Sequence, residues 1–120
     1  PASGSQRTRG MLVCPCSMGT VAAIAHGTSR SLVERAADVT LKEGRKLVLV
    51  PRETPLSLVH LRNLTAAAEA GATILPAAPG FYHRPRQLSD LVDFVAQRIL
   101  DQFDVDATIA PRWGDPAKGG

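Results

Sequence analysis

The chain has 120 residues, 44% of them hydrophobic and 21% charged, with a formal net charge of +3. That length suits one small domain rather than two, and no apolar run approaches the length of a membrane span. Aromatic residues reach only 4% and the basic side chains are scattered, so neither a base-stacking platform nor a basic stripe for nucleic acid is present; a few Arg and Lys converging on a small anion fit the excess better.

Residues 1–10 are small and polar and predict a loop. They lack the charged-then-apolar layout of a signal peptide, so a cytoplasmic protein is expected. Met11-Leu12-Val13-Cys14-Pro15 is a short apolar run closed by proline, a buried strand. Cys14 and Cys16 stand too close in sequence to bridge without strain, and two thiols without a histidine cluster do not make a zinc site. Both are expected to be buried, reduced and structural. Ser17 opens a helix over Met18–His26 that Gly27 stops.

A second helix is predicted from Ser31 to Glu43, with Leu32, Ala36, Val39 and Leu41 as its apolar side. Lys46–Pro51 is the clearest strand, apolar throughout as a strand covered on both faces should be. A third helix, Ser57 to Ala70, carries Leu58, Leu61, Leu64 and Ala68 on one face, and Gly71 ends it. Ala72–Pro76 is the third strand. After a Pro/Gly-rich loop, Ser89 is expected to cap a last helix running to Phe103, with Leu88, Leu91, Val95 and Ile99 inward. From residue 104 onward the chain turns to Pro, Gly and isolated charges, a tail that is loose or held by a partner.

Alternating strands and helices predict parallel strands joined by right-handed crossovers, with ligands bound beyond the strands' carboxyl ends. Each of the three strands runs into a proline followed by small, polar or charged residues. At the first turn, a helix N-terminus offers free N–H groups to an anion, Ser17 and Thr20 add hydroxyls, and Gly19 lets a ligand approach; Ser17 also suits a plain N-cap. At the second, Arg52 can clamp an anion while Glu53 handles a proton, or the two form an ion pair or a helix cap. Arg35, Asp38 and Lys42 share a helix face and suit a solvated ion-pair row. Tyr82 lies in the last loop, and Arg98, on the inward-leaning side of the final helix, needs an anion or carboxylate. His26, His60 and His83 share no metal-ligand spacing, and no metal is expected.

Three stretches, Met11–Pro15 with Cys16-Ser17-Met18, Arg35–Glu43 and Leu47–Leu56, together with Ala2-Ser3-Gly4-Ser5 and Phe81-Tyr82-His83-Arg84-Pro85, resemble the UbiX-type flavin prenyltransferase family over about residues 2–103. The resemblance implies a Rossmann-like or flavodoxin-like three-layer α/β sandwich. Residues 1–103 would form the C-terminal part of a flavoprotein-type domain, without the amino-terminal βα units and Gly-Ala-Ser-Gly-type turn of family members. It implies binding of FMN and transfer of a dimethylallyl group from dimethylallyl phosphate onto reduced flavin. The product would serve a UbiD-type decarboxylase, and the enzyme would be a homo-dodecamer. By the same resemblance Ser17, Met18, Gly19, Thr20 and Arg52 would contact FMN. Tyr82, Arg98, Lys42 and Arg35 would surround the prenyl phosphate, with Glu53 as acid/base and Lys42 beside the reacting groups. Arg30-Ser31 departs from the Asp-Asn-like pair usual there, which would alter a helix start or a subunit contact. Two other readings stay open: a flavin-binding module without turnover, and a related flavin-dependent cysteine decarboxylase.

Overall fold

The computed structural model describes residues 9–105 and 108–110; the Ala2-Ser3-Gly4-Ser5 stretch and the tail beyond residue 110 lie outside them. The chain divides into two compact units, one ending at Pro76 and the other beginning at Ala77. In the first, β1 (Gly10–Cys16), α1 (Met18–His26), α2 (Leu32–Lys42), β2 (Lys46–Pro51), α3 (Leu58–Glu69) and β3 (Thr73–Ile74) follow in order. The strands form a parallel sheet in the order β1-β2-β3, as the alternating pattern predicts. No helix among the described residues is long and apolar enough to cross a membrane.

The core of this unit lies between one sheet face and the three helices. Val13, Leu47 and Leu49 from the strands meet Val21 and Ile24 of α1, Ala37 of α2 and Ala67 of α3. Leu47 and Leu49 are fully buried, and each such side chain contributes about 1.5–3 kcal/mol relative to exposure. Val48 and Val50 point to the opposite face and are buried too, so β2 is shielded on both sides as its sequence predicts. Small side chains at Ala23 and Ala67 accompany the packing of α1 on α3, and His26 Nε2 lies 3.1 Å from Asn63 Oδ1 across that contact.

Local sequence signals set the helix ends. Ser17, Ser31 and Ser57 each cap a helix by accepting an N–H three residues on. Gly27, at φ 69°, takes the left-handed conformation that ends α1. β1 does not stop at Pro15: the register shifts between Val13 and Cys16, and Cys16 pairs with Pro51. This irregularity lets a strand pass a residue that cannot donate to the ladder. Cys16 is buried but Cys14 is exposed, so the expectation of two buried thiols holds for only one; both are free.

The predicted apolar faces of α2 and α3 are corrected. Leu32 is 83% exposed and Leu58 61%, while the buried positions are Glu34 and Ala37 on α2 and Ala67 on α3. Both helices approach the core through small residues together with the partly buried Leu41 and Leu64, which were predicted inward, while Leu32, Leu58 and Leu61 stay outward. In the second unit α4 (Leu88–Gln102) starts earlier than expected, with Gln87 rather than Ser89 as N-cap. The Asp90 carboxylate accepts the N–H groups of Arg86 and Gln87 at 2.9 and 3.1 Å and so fixes the start. Its inward positions include Phe94 and Gln97, whereas Leu88 is exposed. Gln97 Oε1 accepts the N–H groups of Ile109 at 2.6 Å and Ala110 at 3.2 Å, anchoring that segment.

Leu49→Ala should destabilise the fold by about 2–5 kcal/mol, because it removes a fully buried side chain from the centre of the sheet. Urea unfolding followed by circular dichroism measures this.

Candidate functional site

The carboxyl ends of β1 and β2 open into a cleft of about 690 Å³, lined among others by Cys14, Pro15, Ser17, Thr20, Ser31, Arg52 and Glu53. Parallel pairing puts it there: Cys16 opposite Pro51 sets the turn after each strand beside the other. Of the predicted residues the cleft gathers Ser17, Thr20, Arg52 and Glu53.

Ser17 is an N-cap and more. Its Oγ accepts the Thr20 N–H at 3.1 Å and its hydroxyl donates to Thr20 Oγ1 at 3.0 Å. The Val21 N–H goes to the Ser17 carbonyl at 3.0 Å. The N–H groups of Met18 and Gly19 then remain without a partner in the helix, at its positive dipole end. Met18 itself is buried in the core and does not line the cleft. A Cβ on Gly19 would meet only Arg30 Nη2 and Ser17 Oγ at 3.9 Å, ordinary contact distances, so this chain's own packing does not demand glycine there.

Arg52 and Glu53 are both exposed and adjacent, yet the ion pairs of the described residues do not include them. Nor does Glu53 cap α3, since Ser57 does that with His60 as its reciprocal partner. Neither structural alternative considered from the sequence is thus present. The two side chains stand at the cleft with their charges unspent.

Other predicted residues lie elsewhere. Arg35 and Lys42 are exposed on α2 and do not line the cleft; no ion pair to Asp38 forms among the described residues. Fully solvated side chains of this length gain little by pairing, and the row stays open. Tyr82 and Arg98 belong to the second unit. Arg98 Nη2 lies 3.2 Å from Asp101 Oδ2, the carboxylate partner that its position on α4 calls for.

Arg30, noted in the sequence at a helix start, makes contacts there that were not foreseen. Arg30 makes a two-pronged pair with Glu34, Nε to Oε1 at 3.1 Å and Nη2 to Oε2 at 2.7 Å, and its backbone N–H also donates to Oε1 at 2.9 Å. The same Nη2 donates to the Gly19 carbonyl at 3.3 Å, tying the start of α2 to the first turn of α1. Glu34 is 5% exposed, and these hydrogen bonds hold its carboxyl below the usual glutamate range. The sequence signal was the i, i+4 spacing of opposite charges across a helix start. Burial pushes the Cys16 thiol up to about 11, which keeps it protonated and unreactive near neutrality.

A family described as Flavoprotein matches residues 2–100. The chain belongs to that flavoprotein family. It is similar to the flavin prenyltransferase UbiX of Synechocystis sp., 59% identical over 118 residues that make up 98% of this chain and 57% of the relative. UbiX of Pseudomonas aeruginosa is 56% identical over 115 residues, 96% of this chain and 55% of that protein. Among solved structures, the dodecameric FMN-dependent UbiX-like decarboxylase from Escherichia coli O157:H7 superposes with a TM-score of 0.87 at 53% identity, covering 94% of this chain and 61% of that one. AnUbiX (PadA1), in complex with FMN and dimethylallyl pyrophosphate, gives 0.88 at 51% identity, covering 94% and 60%. This flavoprotein chain spans little more than half the length of the curated relatives it matches. The resemblance read from the sequence is borne out, and so is the parallel α/β fold it implied.

Because the Glu34 carboxyl titrates below its unfolded value, the Arg30–Glu34 pair stabilises fully above about pH 4.3 and loses that contribution as pH falls through the lowered folded-state value. Thermal melts between about pH 5 and pH 3 should therefore fall more steeply for the native chain than for Glu34→Gln.

Proposed function

We propose that this chain is part of a flavin prenyltransferase, which transfers a dimethylallyl group from dimethylallyl phosphate to reduced FMN. The observation that carries the reading is the Arg52–Glu53 turn, without an ion pair among the described residues and open to the same cleft as Ser17 and Thr20, in a chain closely similar to proteins of that name.

The residues present fit a flavin phosphate. Two N–H groups at a helix N-terminus and a guanidinium, all without a partner among the described residues, and a glycine whose Cβ would meet only ordinary contacts there are what an approaching phosphate ester needs. Ser17, Met18, Gly19, Thr20 and Arg52 would hold FMN, Met18 through its backbone only. FMN supplies the electron-rich ring that accepts the alkyl group. Glu53 would hold and move the proton exchanged as the ring is alkylated. Tyr82, Arg98, Lys42 and Arg35 would bind the donor phosphate, whose charge grows as the carbon–oxygen bond breaks; cations and hydroxyl donors stabilise that change. Lys42, near the donor phosphate, would also serve the catalytic step.

The product would supply a UbiD-type decarboxylase in the cytoplasm. A homo-oligomer, a dodecamer by likeness to the Escherichia coli structure, is supported by the exposed apolar side chains Leu32, Val33, Val39, Leu58, Val59 and Leu61. A second reading, decarboxylation, has in its favour the description of that Escherichia coli protein and of a 38% identical Aquifex aeolicus structure as decarboxylases.

The complete protein incubated with reduced FMN and dimethylallyl phosphate should yield flavin heavier by one prenyl unit in the mass spectrum. Unaltered flavin sinks the reading, and parallel reactions with the pyrophosphate ester tell the two donors apart. Glu53→Gln should lower turnover by roughly 10²–10⁴-fold while FMN binding, followed by fluorescence quenching, persists.

A further inference from the structure

The second unit holds two of the residues assigned above to the prenyl donor, and both rest on one ring. Phe94 on α4 is 8% exposed. Tyr82 meets it edge-on, with ring centroids 5.6 Å apart at 76°. Arg98, one helical turn further along α4, holds its guanidinium carbon 5.3 Å from the same centroid. His83 stacks on Phe94 at 5.3 Å and 5°, and Tyr82 meets His83 edge-on at 5.4 Å. The fit is close at Gly80, where a Cβ would fall 2.9 Å from Phe94 Cζ and 3.0 Å from Tyr82 Cε1.

We propose that Phe94 is a positioning residue for the phosphate ester, holding Tyr82 and Arg98 at a fixed separation. The inference rests on the donor-binding role given to that pair. A ring suits this task better than a carboxylate would. Cation–π attraction orients the guanidinium without consuming its N–H donors, whereas a bidentate carboxylate would occupy them. Arg98 agrees with this. Its Nε and Nη2 make no hydrogen bond among the described residues, and the Asp101 carboxylate at 3.2 Å from Nη2 is an ion pair outside hydrogen-bond geometry. The edge-on contacts hold Tyr82 through its ring. Gly80 is required because any side chain there would push the two rings apart.

The test uses the complete protein and titrates dimethylallyl phosphate and FMN separately by calorimetry. Phe94→Leu keeps an apolar side chain of similar bulk and removes the ring. The Kd for dimethylallyl phosphate should rise about tenfold while the Kd for FMN stays within about twofold. In an Arg98→Ala background the same change should add far less than tenfold, a coupling that a merely structural role would not produce. Should Phe94→Leu fold poorly, Gly80→Ala displaces the ring instead and should weaken the ester alone. An unchanged ester Kd, an equal loss for both ligands, or full additivity with Arg98→Ala overturns the inference. Ester binding by the native protein without any prenylated flavin overturns the proposed function and leaves the inference standing. No ester binding at all removes both.

Discussion

Everything at the cleft depends on the parallel pairing of β1 with β2. Hydrogen bonding between these strands fixes Cys16 opposite Pro51, and each chain leaves the sheet at the next residue or two. A helix start and an Arg-Glu pair are thereby set side by side without any direct bond between them. The burial of Leu47, Val48, Leu49 and Val50 stabilises β2 but does not by itself set the register, because a slip of one residue would merely exchange the faces of a strand that is apolar on both. Partners on β1 are less tolerant: Val13 faces the core while Leu12 and Cys14 are exposed.

Helix boundaries and strand identities were readable from the sequence because they depend on local chemistry. Serine caps and glycine stops act over three or four residues, and Ser17, Ser31 and Ser57 stand at the helix starts with their hydroxyls accepting the N–H groups there. Which helix face turns inward was less legible. Periodicity marks an apolar row but does not say what the row meets. On α2 and α3 the rows split: Leu41 and Leu64 pack against the core, Leu32, Leu58 and Leu61 face outward, and alanines, too small to stand out in a pattern, make the closest contacts. The break in β1 was also hidden. Proline reads as an end, but a register shift carries the strand one residue further.

The site was legible in part for the same reason. Residues that follow a strand directly, such as Ser17 and Glu53, could be placed from their position alone. Arg35, Lys42, Tyr82 and Arg98 entered by resemblance to a family, since no local rule carries them to a common place. Arg30 was noted at a helix start, but its pairing with Glu34 escaped notice because the burial of that carboxylate is not written in the sequence. Only the structure shows the carboxylate 5% exposed and the guanidinium reaching the Gly19 carbonyl. In the second unit, Phe94 lay outside the predicted inward row, and its contacts with Tyr82 and Arg98 come from packing.

The outward leucines of α2 and α3 bear on more than interface area. Side chains such as Leu32 at 83% exposure and Leu58 at 61% contribute nothing to the folding of a lone chain, and they are a liability in a crowded solution. Were copies of the chain to cover them, as in the proposed oligomer, the burial they gain would enter the stability through mass action. Resistance to heat or denaturant would then depend on protein concentration, and dilution would act as a denaturing condition in its own right.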